Sequence, residues 1–276
     1  MGDGAKRKRG LVGLLISSQK LAQPARRGKG ELSTIAGLTA DGQGFTDRGM
    51  TVKLDGPRLA PKSGTTRQLV VFLHGYGADG RDLIDIGKQW QKILPDAAFV
   101  SPHAPEPCGM SPMGRQWFPL TMRDPHERWT GVTTARPCLD AFLDEELAHA
   151  GLDDSKLALV GFSQGTMMAL HVGLRRKLAP AAILGFSGVL VGPDHLSEVT
   201  ARTAKGETPP VLLIHGSADE VIPIEALFES SEQLAKNNIP TQWHMSAGLG
   251  HGIDNAGLVH GALFLANALG QRLPTK

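Results

Sequence analysis

One serine of the chain lies in a pattern that could make it a nucleophile. The segment Gly161-Phe-Ser163-Gln-Gly165 places glycine two positions before and two positions after the serine. A turn that lifts a serine hydroxyl out of a sheet is so tight that larger side chains at those positions would collide with their neighbours. Such patterns also arise by chance in glycine-rich chains, without catalytic meaning. Because a strand-like and a helix-like segment flank this one, we predict that Ser163 is a nucleophile.

A serine hydroxyl attacks a carbonyl group well only if a base takes its proton, and histidine is the usual base. The chain has ten histidines. His251 lies between Gly250 and Gly252, in a turn between the last predicted strand and the last predicted helix, and it follows the serine in the chain. His74 and His215 end predicted strands, where a hydrogen bond to the backbone is the commoner role. We therefore predict that His251 is the base.

A carboxylate must orient the imidazole and stabilise its charged form. Asp219 follows a predicted strand directly and precedes His251, which completes the chain order serine, aspartate, histidine. Asp194, after the preceding predicted strand, is the alternative. Glu220 is expected to face solvent, and Asp254 is placed to cap the last helix. The sequence therefore predicts Asp219 as the third member of a catalytic triad.

Acyl transfer also needs hydrogen-bond donors for the negative oxygen of the tetrahedral intermediate. The backbone amide of Gln164, at the start of a predicted helix, is one candidate, and the amide of Tyr76 in the turn His74-Gly-Tyr-Gly77 is the other. That turn could instead be a simple connection or a phosphate cradle. It lacks the Lys-Ser/Thr pair of a P-loop and the glycine spacing of a dinucleotide site, and we expect neither a cofactor nor a metal.

A long connection over residues 102–133 is rich in proline, glycine and methionine. Loops of this length are usually functional or disordered. Rigid aromatic and adaptable methionine side chains suit an acyl chain of loose specificity. The connection could instead cover the core of its own domain. The predicted pocket residues are Trp117, Phe118, Met113 and Leu120, together with Met110 and Met122.

The elements that must position these residues alternate between short apolar runs and longer helical patterns. This alternation is typical of an α/β fold with a doubly wound, mostly parallel sheet and helices on both faces. Predicted strands cover residues 68–74, 97–101, 156–161, 181–186, 211–215 and 241–246. Predicted helices cover residues 79–94, 135–150, 164–178 and 224–237, with a closing helix after His251 and Asp79 as a cap of the first helix.

Charge and composition divide the chain into two regions. Residues 1–30 hold eight lysines and arginines against Asp3 alone, whereas the formal net charge of all 276 residues is +2, so the remainder is mildly acidic. We expect residues 1–49 to be a basic, disordered extension or a mis-assigned start, with a targeting or membrane-surface role as the alternative, and residues 50–276 to be the catalytic domain. The apolar run at Leu11–Ile16 is too short to span a membrane.

The mildly acidic charge of the predicted domain gives no reason to expect nucleic-acid binding. The two cysteines are expected to be free thiols.

Five motifs in their present order closely resemble the phospholipase/carboxylesterase family, which includes acyl-protein thioesterases and bacterial carboxylesterases. They are His74-Gly-Tyr-Gly-Ala-Asp-Gly80, Gln116-Trp-Phe118, Gly161-Phe-Ser-Gln-Gly165, His215-Gly-Ser-Ala-Asp219 and Gly250-His-Gly252. The resemblance implies an α/β-hydrolase fold without a large lid domain, a cytoplasmic location and frequent dimerisation. It also implies cofactor-free cleavage of ester or thioester substrates through an acyl-enzyme.

The resemblance assigns the catalytic roles to Ser163, Asp219 and His251 and the oxyanion roles to the amides of Tyr76 and Gln164. The chain departs from the eukaryotic thioesterases at Pro119 and Leu120, where those enzymes have an acidic residue after the Trp-Phe pair. The basic extension is also outside the family pattern. We expect small to medium acyl chains as substrates. A ligand-binding protein without catalysis and an acyltransferase with the same triad are the alternatives.

Overall fold

The computed structural model describes residues 52–109, 111–121, 124, 126–199, 202 and 204–271. The predicted extension over residues 1–49 lies outside the described residues, as do the pocket candidates Met110 and Met122. The strands are β1 Arg58–Leu59, β2 Gln68–Leu73, β3 Ala97–Val100, β4 Glu106–Pro107, β5 Arg115–Gln116, β6 Leu157–Phe162, β7 Ala182–Phe186, β8 Val211–Gly216 and β9 Thr241–Ser246. The helices are α1 Ile84–Trp90, α2 Glu127–Ala150, α3 Gln164–Gly173, α4 Glu225–Lys236 and α5 Asn255–Ala268, with short 3₁₀ helices at Asp154–Lys156 and Pro193–Val199.

Seven of the described strands form one sheet in the order β1-β3-β2-β6-β7-β8-β9. The short β1 pairs antiparallel with β3, and the other neighbouring strands pair parallel. Strands β2, β6, β7 and β8 are buried along their whole length, because helices cover both faces of a sheet whose strands are connected by crossover helices. The order along the chain brings the carboxyl ends of β2, β6, β7 and β8 to one edge of the sheet. The loops that carry the predicted site residues leave from that edge.

The alternating side chains of the strands divide the core into two layers. One layer packs the sheet against α2, α3 and α4, with Leu159 and Leu213 among the strand residues. The other layer packs the opposite face against α1 and α5, with Val160 and Ile214 among the strand residues. Helices on both faces of a mostly parallel sheet confirm the predicted doubly wound architecture.

The helix boundaries differ from the prediction at several ends, among them the end of α1 at Trp90 and the end of α5 at Ala268. Helix α2 begins at Glu127 rather than near residue 135 and runs through Pro137, so the connection before it is shorter than predicted. Helix α1 begins at Ile84, and the Asp79 carboxylate bonds the backbone and guanidinium of Arg81 instead of capping that helix. Helix α3 ends at Gly173 rather than near residue 178. In the described part of the chain, no helix has the length and hydrophobicity needed to cross a membrane.

A buried arginine just after α3 connects the second half of α2 to the 3₁₀ helix that precedes β6. Arg176 donates hydrogen bonds to Asp154 at 2.8 Å, to Asp140 at 3.0 Å and to Asp144 at 2.5 Å. Arg176 and Asp154 are both buried, so each needs the other to offset the loss of water. Cys108 and Cys138 are both free thiols, as predicted.

Candidate active site

Ser163 occupies a strained turn between β6 and α3. Its φ of 54° and ψ of −115° lie outside the regions that side-chain-bearing residues ordinarily adopt. A Cβ on Gly161 would lie 2.4 Å from the backbone of Gly165, and a Cβ on Gly165 would lie 1.8 Å from the Leu73 oxygen. Both glycines are therefore required by close backbone approaches, which is the reason for the spacing seen in the sequence. The amide of Ser163 donates to the Phe186 oxygen at 2.9 Å, which fixes the turn to β7.

His251 and Asp219 are in direct contact. The Nδ1 atom of His251 lies 2.8 Å from Oδ2 of Asp219, and the ring of His251 packs 5.0 Å from the ring of Phe162, the residue before Ser163. The backbone supports this placement, because a Cβ on Gly216 would collide with the oxygens of residues 249 and 250. The structure therefore brings all three predicted triad residues to the same edge of the sheet.

The carboxylate of Asp219 is buried and surrounded by donors. Its Oδ1 atom accepts the amide hydrogens of Val221 and Ile222, each at 2.9 Å. Its Oδ2 atom faces His251 and also lies 3.3 Å from Nε2 of His215. Burial opposes the negative charge, but the contacts with His215 and His251 and the Ile222 amide outweigh it, so the pKa of Asp219 is lowered. An ionised carboxylate is the form that can stabilise an imidazolium.

One predicted oxyanion residue follows the serine directly, and the other lies in the turn after β2. Gln164 is buried and begins α3, so its amide is at the positive end of a helix. Tyr76 follows Gly75, and a Cβ on Gly75 would lie 3.4 Å from the Cβ of Ser163. Burial and a hydrogen bond with Cys108 raise the pKa of the Tyr76 phenol to about 12. The turn after β2 thus passes close to Ser163, and the role of its amides stays a prediction.

His74 connects the turn after β2 to the backbone that follows β3. Its Nε2 accepts the amide hydrogen of Ala104 at 3.0 Å, which leaves the ring hydrogen on Nδ1, 2.8 Å from the Gly75 oxygen. Burial lowers the pKa of His74 to about 4, so the ring is neutral near pH 7. His215 likewise donates from Nε2 to the Ile222 oxygen at 2.8 Å. Both strand-ending histidines therefore make the backbone contacts that the sequence predicted.

The aromatic pair of the long connection lies in the core. Trp117 is 1% exposed and Phe118 is 2% exposed, and the Trp117 indole donates to the His74 oxygen at 3.0 Å. The interpretation of these two side chains as pocket surface is therefore corrected in favour of the alternative, in which the connection covers the core. Leu120 is half-buried against the same core, whereas Met113 is 84% exposed.

The side chain of Gln164 has a role that the sequence did not reveal. Its Oε1 accepts the Trp117 amide at 2.9 Å, and its Nε2 donates to the Phe118 oxygen at 2.8 Å. These two bonds clamp the connection to the first turn of α3, directly beside Ser163. A glutamine after a serine carries no sequence signal for a clamp 46 or 47 residues away.

One cleft of the described part of the chain has a volume of about 380 Å³. It is lined by residues of the turn after β2 and of the connection, among them Asp79, Arg81, His103, Met113 and Arg115, but not by Ser163. The rival carboxylate Asp194 lies in the 3₁₀ helix Pro193–Val199. Across the described residues, no group of three or more His, Cys, Asp or Glu side chains is arranged to hold a metal ion.

This chain is similar to known proteins in both sequence and structure. The profile of the phospholipase/carboxylesterase family matches residues 54–269. Acyl-protein thioesterase 1 of Gibberella zeae is 26% identical over 208 residues, which are 71% of this chain and 88% of that protein. Esterase YpfH of Escherichia coli is 28% identical over 190 residues, which are 68% and 78% of the two chains.

Solved structures of an esterase and of a thioesterase are also similar to this chain. The crystal structure of esterase PE8 has 45% sequence identity and a TM-score of 0.73, and the match covers 79% of this chain and 100% of PE8. Acyl-protein thioesterase 2 of Zea mays, with 24% identity and a TM-score of 0.60, shares the fold over 78% of this chain and 98% of its own.

The sheet order, the two helical layers and the strained serine turn define a protein with an α/β-hydrolase-like fold. The family profile covers most of the chain. The chain therefore belongs to the phospholipase/carboxylesterase family, and it is a hydrolase.

Proposed function

We propose that this enzyme hydrolyses carboxylic esters or thioesters of small to medium acyl chains through an acyl-enzyme on Ser163. The observation that carries the proposal is the 2.8 Å contact of His251 with the buried Asp219, at the sheet edge where Ser163 occupies a strained turn. A histidine oriented by an ionised carboxylate beside a serine is the arrangement that activates a hydroxyl. The similarity to esterases and to an acyl-protein thioesterase supports the ester and thioester class.

In the proposed reaction, Oγ of Ser163 attacks the acyl carbonyl carbon while Nε2 of His251 takes the hydroxyl proton. Asp219 accepts from Nδ1 of the ring and stabilises the imidazolium that forms. The amides of Tyr76 and Gln164 stabilise the oxyanion of the tetrahedral intermediate. The intermediate then collapses, the bond to the leaving oxygen or sulfur breaks, and the imidazolium protonates the alcohol or thiol that departs.

Water completes the cycle by the same steps in reverse order. His251 takes a proton from the water, and the hydroxide adds to the acyl carbon. The second tetrahedral intermediate then collapses, the bond from the acyl carbon to Oγ of Ser163 breaks, and the imidazolium returns its proton to Oγ as the carboxylic acid departs. Both half-reactions use one base and one oxyanion site, and neither needs a redox change.

Hydrolysis of a matched substrate series tests this proposal. Purified enzyme should cleave p-nitrophenyl esters and the corresponding thioesters from two to about eight acyl carbons, and Ser163→Ala should lose most of that turnover. Ser101→Ala is the matched control, because Ser101 is also buried at the end of a parallel strand and its hydroxyl makes only a 3.4 Å contact with the Phe72 oxygen. The proposal fails if the folded wild-type enzyme cleaves neither series, or if Ser163→Ala retains wild-type turnover.

A further inference from the structure

A second histidine contacts the carboxylate that orients the candidate base. Nε2 of His215 lies 3.3 Å from Oδ2 of Asp219, the same oxygen that receives Nδ1 of His251 at 2.8 Å. The side chain of His215 is 1% exposed and that of Asp219 is fully buried. Both groups therefore lie in the low-dielectric interior, where such contacts are strongest.

The backbone determines which nitrogen of His215 carries a hydrogen. Nε2 also lies 2.8 Å from the oxygen of Ile222, and a carbonyl oxygen can only accept a hydrogen bond. Nε2 is therefore protonated and donates to the Ile222 oxygen, and Oδ2 of Asp219 lies 3.3 Å from the same nitrogen. This contact with His215 helps to lower the pKa of Asp219 and so to keep its carboxylate ionised.

The position of His215 in the fold explains how it can hold the carboxylate. It lies in β8, one residue before Gly216, where the chain leaves the sheet. The turn that follows returns to Ile222, whose amide donates to Oδ1 of Asp219. The His215 ring consequently lies inside this turn, where it contacts the oxygen of Ile222 and the carboxylate of Asp219.

We propose that His215 is a positioning residue for the hydrolytic reaction, which holds Asp219 in the orientation that His251 requires and shares the charge of its Oδ2 atom. This inference rests on the proposed function. His215 does not reach the reacting atoms itself, and it acts through Asp219. Because Asp219 stabilises the imidazolium only while the proton is being transferred, loss of His215 should lower kcat and leave KM unchanged.

The neighbouring charged groups do not offer a substitute donor. Asp254 accepts hydrogen bonds from the Ser246 hydroxyl and the Gly257 amide at the start of α5. Glu220 follows Asp219 and is exposed. Both are carboxylates, so neither can donate to Asp219 in its ionised form.

The test compares three substitutions in the full chain. His215→Gln keeps an N–H at the position of Nε2, His215→Asn is too short to place one there, and His215→Leu has no donor. We expect kcat to fall about tenfold or more in the Leu and Asn variants and to recover to within about threefold of wild type in His215→Gln, with KM unchanged throughout. His171→Leu is the control, because His171 is another buried histidine and has no contact with Asp219.

A spectroscopic signal separates positioning from stability. Nitrogen-15 NMR of labelled histidine detects the hydrogen on Nδ1 of His251, whose hydrogen bond to Oδ2 should weaken when the carboxylate loses the contact that holds it in place. We expect this proton resonance to move upfield in the Leu and Asn variants and to stay near its wild-type position in His215→Gln and His171→Leu. If the Leu variant fails to fold, the comparison of Gln with Asn decides the question.

Two results would overturn the inference. One is a folded His215→Leu or His215→Asn variant with kcat within twofold of wild type, and the other is an unmoved His251 resonance in those variants. If the wild-type enzyme hydrolyses neither esters nor thioesters, the proposed function fails, whereas the resonance still decides whether His215 acts on the Asp219–His251 pair.

Discussion

Replacing Asp219 with asparagine should disable the site without changing its shape. The carboxylate faces four N–H groups, with His251 and His215 on Oδ2 and the amides of Val221 and Ile222 on Oδ1. An amide side chain has one oxygen and one NH2 group. Whichever way the asparagine is placed, its NH2 group points at two N–H donors, so no orientation satisfies the surroundings.

The size of the effect follows from these contacts. Each buried donor left without an acceptor costs about 1–3 kcal/mol. An NH2 group on the Oδ1 side leaves two backbone amides unpaired, whereas one on the Oδ2 side leaves His251 unpaired, because His215 keeps the Ile222 oxygen as its acceptor. The variant therefore loses about 1–6 kcal/mol of folding free energy. The variant can reduce this cost by moving the hydrogen of His251 from Nδ1 to Nε2, but Nε2 is then unable to take the serine proton. In serine proteases the corresponding change lowers kcat roughly 10⁴-fold while the geometry is kept. We expect a loss of about the same size for Asp219→Asn.

Steady-state hydrolysis of a p-nitrophenyl ester, measured beside far-ultraviolet circular dichroism and urea unfolding, checks this prediction. Glu220→Gln is the matched control, because Glu220 is the adjacent, exposed carboxylate, and it should retain wild-type turnover. The reasoning is refuted if folded Asp219→Asn keeps kcat within tenfold of the wild-type value.

Three further predictions concern the turn, the buried ions and pH. Gly165→Ala should lower the free energy of unfolding by at least about 1–3 kcal/mol and reduce turnover, because its Cβ would lie 1.8 Å from a backbone oxygen of β2. Arg176→Met should cost about 3–5 kcal/mol of unfolding free energy, since it leaves the buried Asp154 carboxylate unpaired. Burial lowers the pKa of His74 to about 4 and that of His171 to about 3. Below pH 6.5 each of these histidines is therefore protonated in the unfolded chain but neutral in the folded chain. Each ring should lower the free energy of unfolding by about 2 kcal/mol between pH 7.5 and 5, and His171→Leu should abolish the part that is due to His171.

Each of these predictions has a control. Gly109→Ala should be neutral, because a Cβ there meets nothing within 4 Å, and equal unfolding curves for the two alanine variants would contradict the steric argument. Arg176→Met combined with Asp154→Leu should recover part of the lost stability, and no recovery would mean that the pair is not the cause. For the histidine, an unchanged difference between urea midpoints at pH 7.5 and pH 5 in His171→Leu would contradict the linkage argument.

The parts of the fold that depend on local pattern could be predicted from sequence. The central strands are continuous apolar runs because both of their faces are buried. Gly161 reflects an approach of 2.4 Å within one strand, turn and helix, whereas Gly165 reflects an approach to Leu73 of the neighbouring β2. The start of α2 could not be predicted in this way. Gly131 and Pro137 are typical of loops, but Gly131 is needed because a Cβ there would collide with Phe118, a residue outside the helix.

The surroundings of the candidate site depended on contacts distant in the chain. An aromatic pair in a loop does not reveal which way its side chains point, and the burial of Trp117 and Phe118 is determined by the clamp from Gln164 and the contact with His74. The second contact of Asp219 was equally hidden, because the sequence indicated only that His215 ends a strand. The pairing of Asp219 with His251 could be proposed from chain order because both residues leave the same edge of a parallel sheet.

Covalent trapping tests the central claim that Ser163 is the nucleophile and that His251 activates it. The full chain is treated with a fluorophosphonate, and the adduct is counted by intact mass and located by peptide mass spectrometry. We predict one adduct per chain, on the peptide that contains Ser163, with labelling strongly slowed in His251→Gln. An adduct on a different residue, or hydrolytic activity that survives while Ser163 is fully modified, would contradict the account.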